Sequence, residues 1–240
     1  MDDITPPRIL INDMTQVSDY CVGSLHQELE EAWGSEGSTN EWNKKWQSAL
    51  SKAYDNVDKA CVKDLSGGST AVVVLISPCQ IIAANCGDSR AILCRGFYTI
   101  PLTADHKPYR QDENERIVRS GGLVIPDTWG LLRVDGVLAM TRAIGDGSMK
   151  PYVSAVPEVT FTTRTDEDEC LIMASDGLWD VMSTELVGTM ATSMLRHERE
   201  FPSTNEKPTQ RVAKYLFKEA LARSSSDNFS VIIVDLKRQP

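Results

Sequence analysis

Aspartates at the ends of apolar runs are the residues of this chain best placed to do chemistry. Leu171–Asp180 reads LIMASDGLWD, a hydrophobic run that stops at Ser175-Asp176-Gly177. The run predicts a buried strand, with Asp176 at its end, where a carboxylate is held rigidly and still reaches a pocket. Gly177 provides a sharp backbone exit that a side chain would resist. Leu178, Trp179 and Val181 return to the core, and Ser183 opens a helix. An isolated Asp-Gly is most often only a turn. Here, however, Asp227 in SSSDNFSVIIVDL repeats the context ahead of another hydrophobic strand, Phe229–Leu236. Two carboxylates converging at one end of a sheet suit a hard divalent cation. Asp105, Asp88 and Asp146 stand in loops at other strand ends and extend the candidate set.

Competing chemistries lack their residues. A cysteine-nucleophile phosphatase needs C-x5-R around its phosphate loop, but Cys86 is followed by Arg90, two positions too soon. Asp166-Glu167-Asp168-Glu169-Cys170 does not continue as a phosphoaspartyl motif does. Neither G-x-x-x-x-G-K-[ST] nor G-x-G-x-x-G occurs, which removes the usual nucleotide cradles. A Ser-His-Asp triad has only His26, His106 and His197 to draw on, and the first and last fall on helical segments facing solvent.

The elements that must position the aspartates follow from hydrophobic period. Residues 1–14 read as irregular, with Pro6-Pro7 excluding a helix. From Thr15, Val17, Tyr20, Cys21, Leu25, Leu29 and Ala32 recur at three and four, predicting a helix up to Gly34. A second helix follows, with Trp42, Trp46, Ala49, Leu50, Ala53 and Val57 inward, the two Trp as core residues. After Ser66-Gly67-Gly68-Ser69 the period changes. Thr70–Ile76, Gln80–Asn85, Arg90–Cys94 and Phe97–Leu102 predict a β-meander of consecutive antiparallel strands. A charged helix covers 110–120, a short strand Leu123–Ile125, and a loop Pro126–Gly130 carries Trp129. Gly145–Pro157 reads as irregular. Helices are predicted about Ser183–Arg196 and Pro208–Arg223 before the final strand. Neighbouring hairpins with helices grouped before and after them argue an α+β fold.

The 240 residues fit one domain with a substantial core. At a net charge of −9 the chain lacks the basic balance that nucleic acid or an anionic membrane surface demands. Its six cysteines include no C-x-x-C pair, so a structural zinc site has no support. Most of them lie beside apolar residues and read as buried small hydrophobes in a reducing compartment, cytoplasmic and/or nuclear. No stretch approaches a membrane span, and MDDITPPRIL has acids and prolines where a signal peptide has a basic then apolar run.

With these residues in view, the chain resembles the metal-dependent type 2C Ser/Thr protein phosphatases, especially the plant members. The matching blocks are Gly68-Ser69-Thr70-Ala71, Ala84–Ala91 (ANCGDSRA), Asp105-His106-Lys107-Pro108, Val137–Asp146 (VLAMTRAIGD), Ala174–Asp180 (ASDGLWD) and Asp227-Asn228. They run in the family's order over residues 65–236. The resemblance implies a four-layer α-β-β-α sandwich of two antiparallel sheets flanked by helices, with a dinuclear Mg2+ or Mn2+ centre at one end. It implies hydrolysis of phosphoserine and phosphothreonine in phosphoprotein substrates by a metal-activated water. Asp176 and Asp227 match two of the family's metal ligands, and Asp105 matches the carboxylate linked to a third, weaker metal. Asp88 and Asp146 lie in matching motifs and stand equally as weaker metal candidates or structural turn residues.

The opening segment departs from the family, which carries there a phosphate-binding Arg, an acidic pair and a strand ending in D-G-H-G-G. Here Met1–Met14 reads MDDITPPRILINDM, and D-G-H-G-G occurs nowhere. Asp2, Asp3 and Asp13 lie in that segment without the glycines, and no catalytic Arg or His is assignable. The expectation is an N-terminally truncated chain: 1–14 an irregular replacement for the metal-motif strand, 15–236 a partial phosphatase domain lacking the family's N-terminal strands, 237–240 a tail. A weakened or mononuclear metal site and an exposed sheet edge should follow. The alternative to an active enzyme is an inactive truncated form that binds or competes for phosphatase partners. Plant members that pair with hormone receptors carry a Trp in the loop corresponding to Pro126–Gly130. Trp129 is therefore the candidate partner-binding residue, for a hormone-receptor-type regulator, against local packing of its ring.

Overall fold

A computed structural model describes residues 5–12, 16–35, 41–202, 206–225 and 227–237. Strand β1 (Thr5–Asn12) is followed by two long helices, α1 (Gln16–Ser35) and α2 (Trp42–Asp64). Four strands come next: β2 (Gly68–Ile76), β3 (Gln80–Cys86), β4 (Arg90–Arg95) and β5 (Tyr98–Pro101). Helix α3 (Gln111–Arg119) leads to a small hairpin, β6 (Val124–Pro126) and β7 (Leu132–Val134), and to the short β8 (Ile144–Gly145). Strands β9 (Glu158–Thr163) and β10 (Asp168–Ala174) precede three helices, α4 (Asp176–Trp179), α5 (Thr184–Glu200) and α6 (Pro208–Ala222). The last strand is β11 (Val231–Asp235).

Two antiparallel sheets result, ordered β1-β2-β3-β9, with β8 alongside β2, and β11-β10-β4-β5. Period-two alternation explains the layering. Val72, Val74, Ile81 and Ala83 of the first sheet face Ala91, Leu93, Leu171 and Met173 of the second. Their opposite faces are also apolar, so each sheet needs a helical cover. Val73, Leu75 and Ile82 pack under Cys21, Leu25, Trp46 and Leu50 of α1 and α2. Ile92 and Ile172 pack under Val187, Leu195 and Leu216 of α5 and α6. Full burial of each such aliphatic side chain contributes about 1.5–3 kcal/mol before entropy is counted. The four-layer α-β-β-α sandwich is thereby established.

Several sequence expectations change. The segment expected to be irregular contains β1, which pairs with β2 through Arg8↔Val74 to Asn12↔Thr70. Pro6 and Pro7, which cannot donate to a ladder, sit where that register breaks. The first sheet thus includes a strand that precedes α1. The expected meander is two hairpins in different sheets, because Gly87, at φ +116°, turns the chain across the sandwich between β3 and β4. Strand β9 had no counterpart in the sequence pattern, since its threonines, Thr160 among them bonded to the Leu102 carbonyl, dilute Val159 and Phe161. Trp46 is buried as expected, whereas Trp42 is half-exposed and lies edge-on against Trp33 and Trp46. Met1–Ile4 and Asp13–Thr15, with the carboxylates of Asp2, Asp3 and Asp13, lie outside the described residues.

Candidate active site

A cleft of about 350 Å³ opens at one end of the sandwich, where β1, β2 and β10 finish or begin. Four of the five candidate aspartates line it: Asp88, Asp146, Asp176 and Asp227, together with Asn12. Each arrives by a separate local device. Asp176 stands two residues past the end of β10, after Ser175, and opens the single-turn α4. The Trp179 indole N–H returns to the Ala174 carbonyl at 2.8 Å and pins that turn. Ser175 N–H donates to the Ser230 carbonyl at 3.2 Å, and the Ser230 N–H donates to Ser175 Oγ at 3.0 Å. These bonds bring the Asp227 loop beside Asp176. Gly177 is required for a different reason from a sharp exit: a Cβ there would lie 2.8 Å from the Asn228 carbonyl oxygen. On the facing wall, a Cβ on Gly68 would fall 1.9 Å from an Asp146 carboxylate oxygen, so the glycine makes room for that side chain. Asp146 itself stands at φ +49°, a left-handed position that Asp tolerates.

Asp105 is not part of the cleft wall. The Arg90 guanidinium grips both its oxygens, Nε to Oδ1 at 2.9 Å and Nη2 to Oδ2 at 2.7 Å, and also reaches Thr184. His106 is fully buried, with Nε2 3.2 Å from Glu158 and Nδ1 against Gly87, so it holds the loop and takes no part in a triad.

The electrostatics of the cleft are unbalanced. Burial pushes the Asp176 carboxyl up, and the nearby Asp88, Asp227 and Asp180 add to it, to a pKa of about 6. Asp180 at the rim is shifted the same way, by partial burial and by its aspartate neighbours. Against burial, which would lower it, Lys107 is raised by Asp88, which its ammonium meets at 2.5 Å. A neutral donor, the Asn12 amide, reaches Asp176 Oδ1 at 3.4 Å, and Ser69 Oγ fixes the end of β1 by donating to the Asn12 carbonyl at 2.6 Å.

Comparison with known proteins decides the family. A family model described as "Protein phosphatase 2C" matches residues 10–229. The chain belongs to the protein phosphatase 2C family. Among Arabidopsis thaliana relatives, "Probable protein phosphatase 2C 24" is 44% identical over 93% of this chain and 67% of its own length. "Protein phosphatase 2C 37" is 54% identical over 72% of this chain and 43% of its own length. In rice, "Probable protein phosphatase 2C 6" is 44% identical over 92% of this chain and 53% of its own length. The chain therefore spans between 43% and 67% of these relatives. Among solved structures, a serine-threonine phosphatase 2C from Toxoplasma gondii superposes with TM-score 0.76 at 25% identity, over 99% of this chain and 86% of that one. A C. elegans sex-determining protein gives TM-score 0.81 at 25% identity, over 96% of this chain and 56% of that one.

For this phosphatase 2C chain, one residue of the cleft wall, Asn12, and two that act electrostatically on its aspartates, Lys107 and Asp180, were not singled out by sequence. Lys107 and Asp180 sit inside the quoted D-H-K-P and A-S-D-G-L-W-D blocks, where attention to charge balance would have found them. Asn12 carried no signal, because its strand was hidden behind two prolines. Trp129, by contrast, does not pack locally: it stands 86% exposed on the β6–β7 turn. Asp127 Oδ1 accepts from the Trp129 and Leu131 N–H groups there, at 2.9 and 3.0 Å, while Arg133 holds its other oxygen.

Proposed function

We propose that the chain hydrolyses phosphoserine and phosphothreonine in proteins at this cleft, with Mg2+ or Mn2+ as cofactor. The observation that carries the proposal is the gathering of Asp88, Asp176 and Asp227 around one hollow, with Lys107 paired to Asp88; burial first, and the neighbouring aspartates second, raise Asp176 to a pKa of about 6. Like charges gathered around one hollow, with Asp88 buried, Asp176 half-buried and Asp227 exposed, mark a place where a cation belongs. The donors are oxygens throughout, which fits a hard ion. Asp176 and Asp227 would hold it, with Asp88 steadied by Lys107 and the Asp176 carboxylate oriented by the Asn12 amide. Water would complete the coordination, as is usual for these hard ions. A bound divalent cation supplies a water nucleophile at neutral pH and charge neutralisation for the phosphoryl group.

The test is hydrolysis of a phosphothreonine peptide by the purified chain, with millimolar Mn2+ and with chelator. Turnover that requires Mn2+ supports the proposal. A folded, monodisperse sample that binds phosphopeptide but never turns it over would overturn it in favour of a binding module. The same proposal includes a protein regulator of the hormone-receptor type docking at Trp129, supported by the exposure of that ring on a braced hairpin. It also places the chain in a reducing compartment, cytoplasmic or nuclear, consistent with free cysteines of which all but Cys79 are buried.

A further inference from the structure

A second hollow of about 420 Å³ adjoins the carboxylate cleft, between the end of β1, helix α6 and the loop entering β11. Asn12, Asp227 and Asn228 line both hollows, so the two are neighbours sharing a wall. Apart from Ser230, the remaining lining is apolar: Ile11, Phe217, Leu221 and Phe229. Helix α6 spends one stripe, Val212, Leu216 and Ala220, on the core. Phe217 and Leu221 form a second apolar stripe at i, i+4 spacing, turned toward the hollow and left 46% and 49% exposed. The rings of Phe217 and Phe229 pack at 4.7 Å between centroids, so the floor is a preformed aromatic surface.

We infer that this groove receives an aromatic or branched aliphatic side chain of the phosphoprotein, one to three residues from the phosphorylated residue, with Phe217 and Leu221 setting that preference. The inference rests on the phosphatase proposal. The occupant follows from continuity with the cleft and from charge. An extended peptide advances about 3.3 Å per residue, so a phosphoresidue in one hollow places a near neighbour over the other. Apolar area already paid out to water is recovered by an apolar side chain, whereas Asp227 and the net charge of −9 oppose an acidic one.

The experiment uses the full chain with Mn2+ and phosphothreonine peptides carrying Phe, Leu or Ser at each of three positions on either side. One position should show a preference of about tenfold in kcat/KM for Phe or Leu over Ser, expressed in KM, as expected for partial burial of one such side chain. Phe217→Ala and Leu221→Ser should each erase most of it while leaving the rate on the Ser-only peptide unchanged. Fluorescence anisotropy with non-hydrolysable phosphonate versions separates the two ideas. Hydrolysis without any positional preference overturns the groove and leaves the phosphatase standing. Phe-dependent binding that Phe217→Ala abolishes, in a chain that hydrolyses nothing, keeps the groove and sinks the phosphatase. A concentration-dependent dimer dispersed by Phe217→Ala would put a second copy of the chain in the groove and overturn the inference.

Discussion

Buried carboxylates open strand β10 and a half-buried one stands just past its end, and the two ends are balanced in opposite ways. At its start, Arg95 meets Asp168 at 2.6 Å, while Arg199 and Arg196 meet Glu169 at 2.6 and 3.0 Å. Arg199 also holds Asp235 of the neighbouring strand at 2.6 Å. Burial would raise the Glu169 carboxyl, but those guanidiniums hold it below its ordinary value. At the finish of the same strand, Asp176 faces other aspartates and an amide and is pushed up to about 6. A carboxylate kept for the fold arrives with its cations built in. One left among like charges is kept for something that comes from solution.

Paired substitutions break the comparison most sharply. Asp176→Asn should cut Mn2+-dependent hydrolysis by at least about a hundredfold, since even outer-shell changes at metal sites cost about 10–100-fold. The same change should raise the melting temperature of the metal-free chain by a few degrees, because it removes a crowded charge. Glu169→Ala should do the reverse, leaving turnover intact while costing about 1–3 kcal/mol, as the partly exposed arginines lose their partner. Denaturant titrations beside activity assays check both, and equal destabilisation by the two changes would erase the distinction.

Dependence on pH sharpens it further. The folded pKa of Asp176, about 6, lies above its unfolded value, so the metal-free folded state holds the extra proton between about pH 4 and 6. The contribution of this group is therefore lost as pH rises through that window. Glu169, with its folded pKa lowered, contributes stability above its unfolded value that is lost as pH falls through the acid range. Melts in chelator should show the first slope in the wild type and not in Asp176→Asn. Saturating Mn2+ should cancel it, and identical curves for the two proteins would refute the crowding.

Smaller effects come from the cleft rim and beyond. Asn12→Asp adds one more unpaired carboxylate beside Asp176. It should lower the metal-free melting temperature and tighten Mn2+ binding, both readable by calorimetry. Trp129→Ala should leave stability within about 0.5 kcal/mol and peptide turnover unchanged, as for other exposed positions. Only capture of a protein regulator should suffer.

Much of this was legible in the chain itself, and the failures have physical causes. The β10 strand and Asp176 announced themselves through an unbroken apolar run ended by Asp-Gly. Helices α1, α2, α5 and α6 followed from their periodicity. Strand β1 was hidden because Pro6-Pro7 signals irregularity locally, while the apolar Ile9–Ile11 that pairs with β2 is too short to outweigh it. Sheet membership of β2 to β5 was invisible, since a turn through Gly87 looks alike whether it closes a hairpin or crosses a sandwich. Asp105 was grouped with the metal candidates by its motif, and its pairing with Arg90 through both oxygens left no trace in the sequence pattern.

The five tryptophans divide the molecule into separately visible parts. Trp33 and Trp46 stack at 3.8 Å with their planes 18° apart, and Trp42 meets both edge-on. Such a coupled set should dominate the near-ultraviolet circular dichroism and report the packing of α1 on α2. Trp179 lies under the Arg90 guanidinium, one turn from Asp176, where its emission would follow events in the cleft. Trp129, in water, would answer only to whatever touches the hairpin. Single Trp→Phe replacements would turn one spectrum into three independent optical channels, for the helical cover, the cleft and the hairpin.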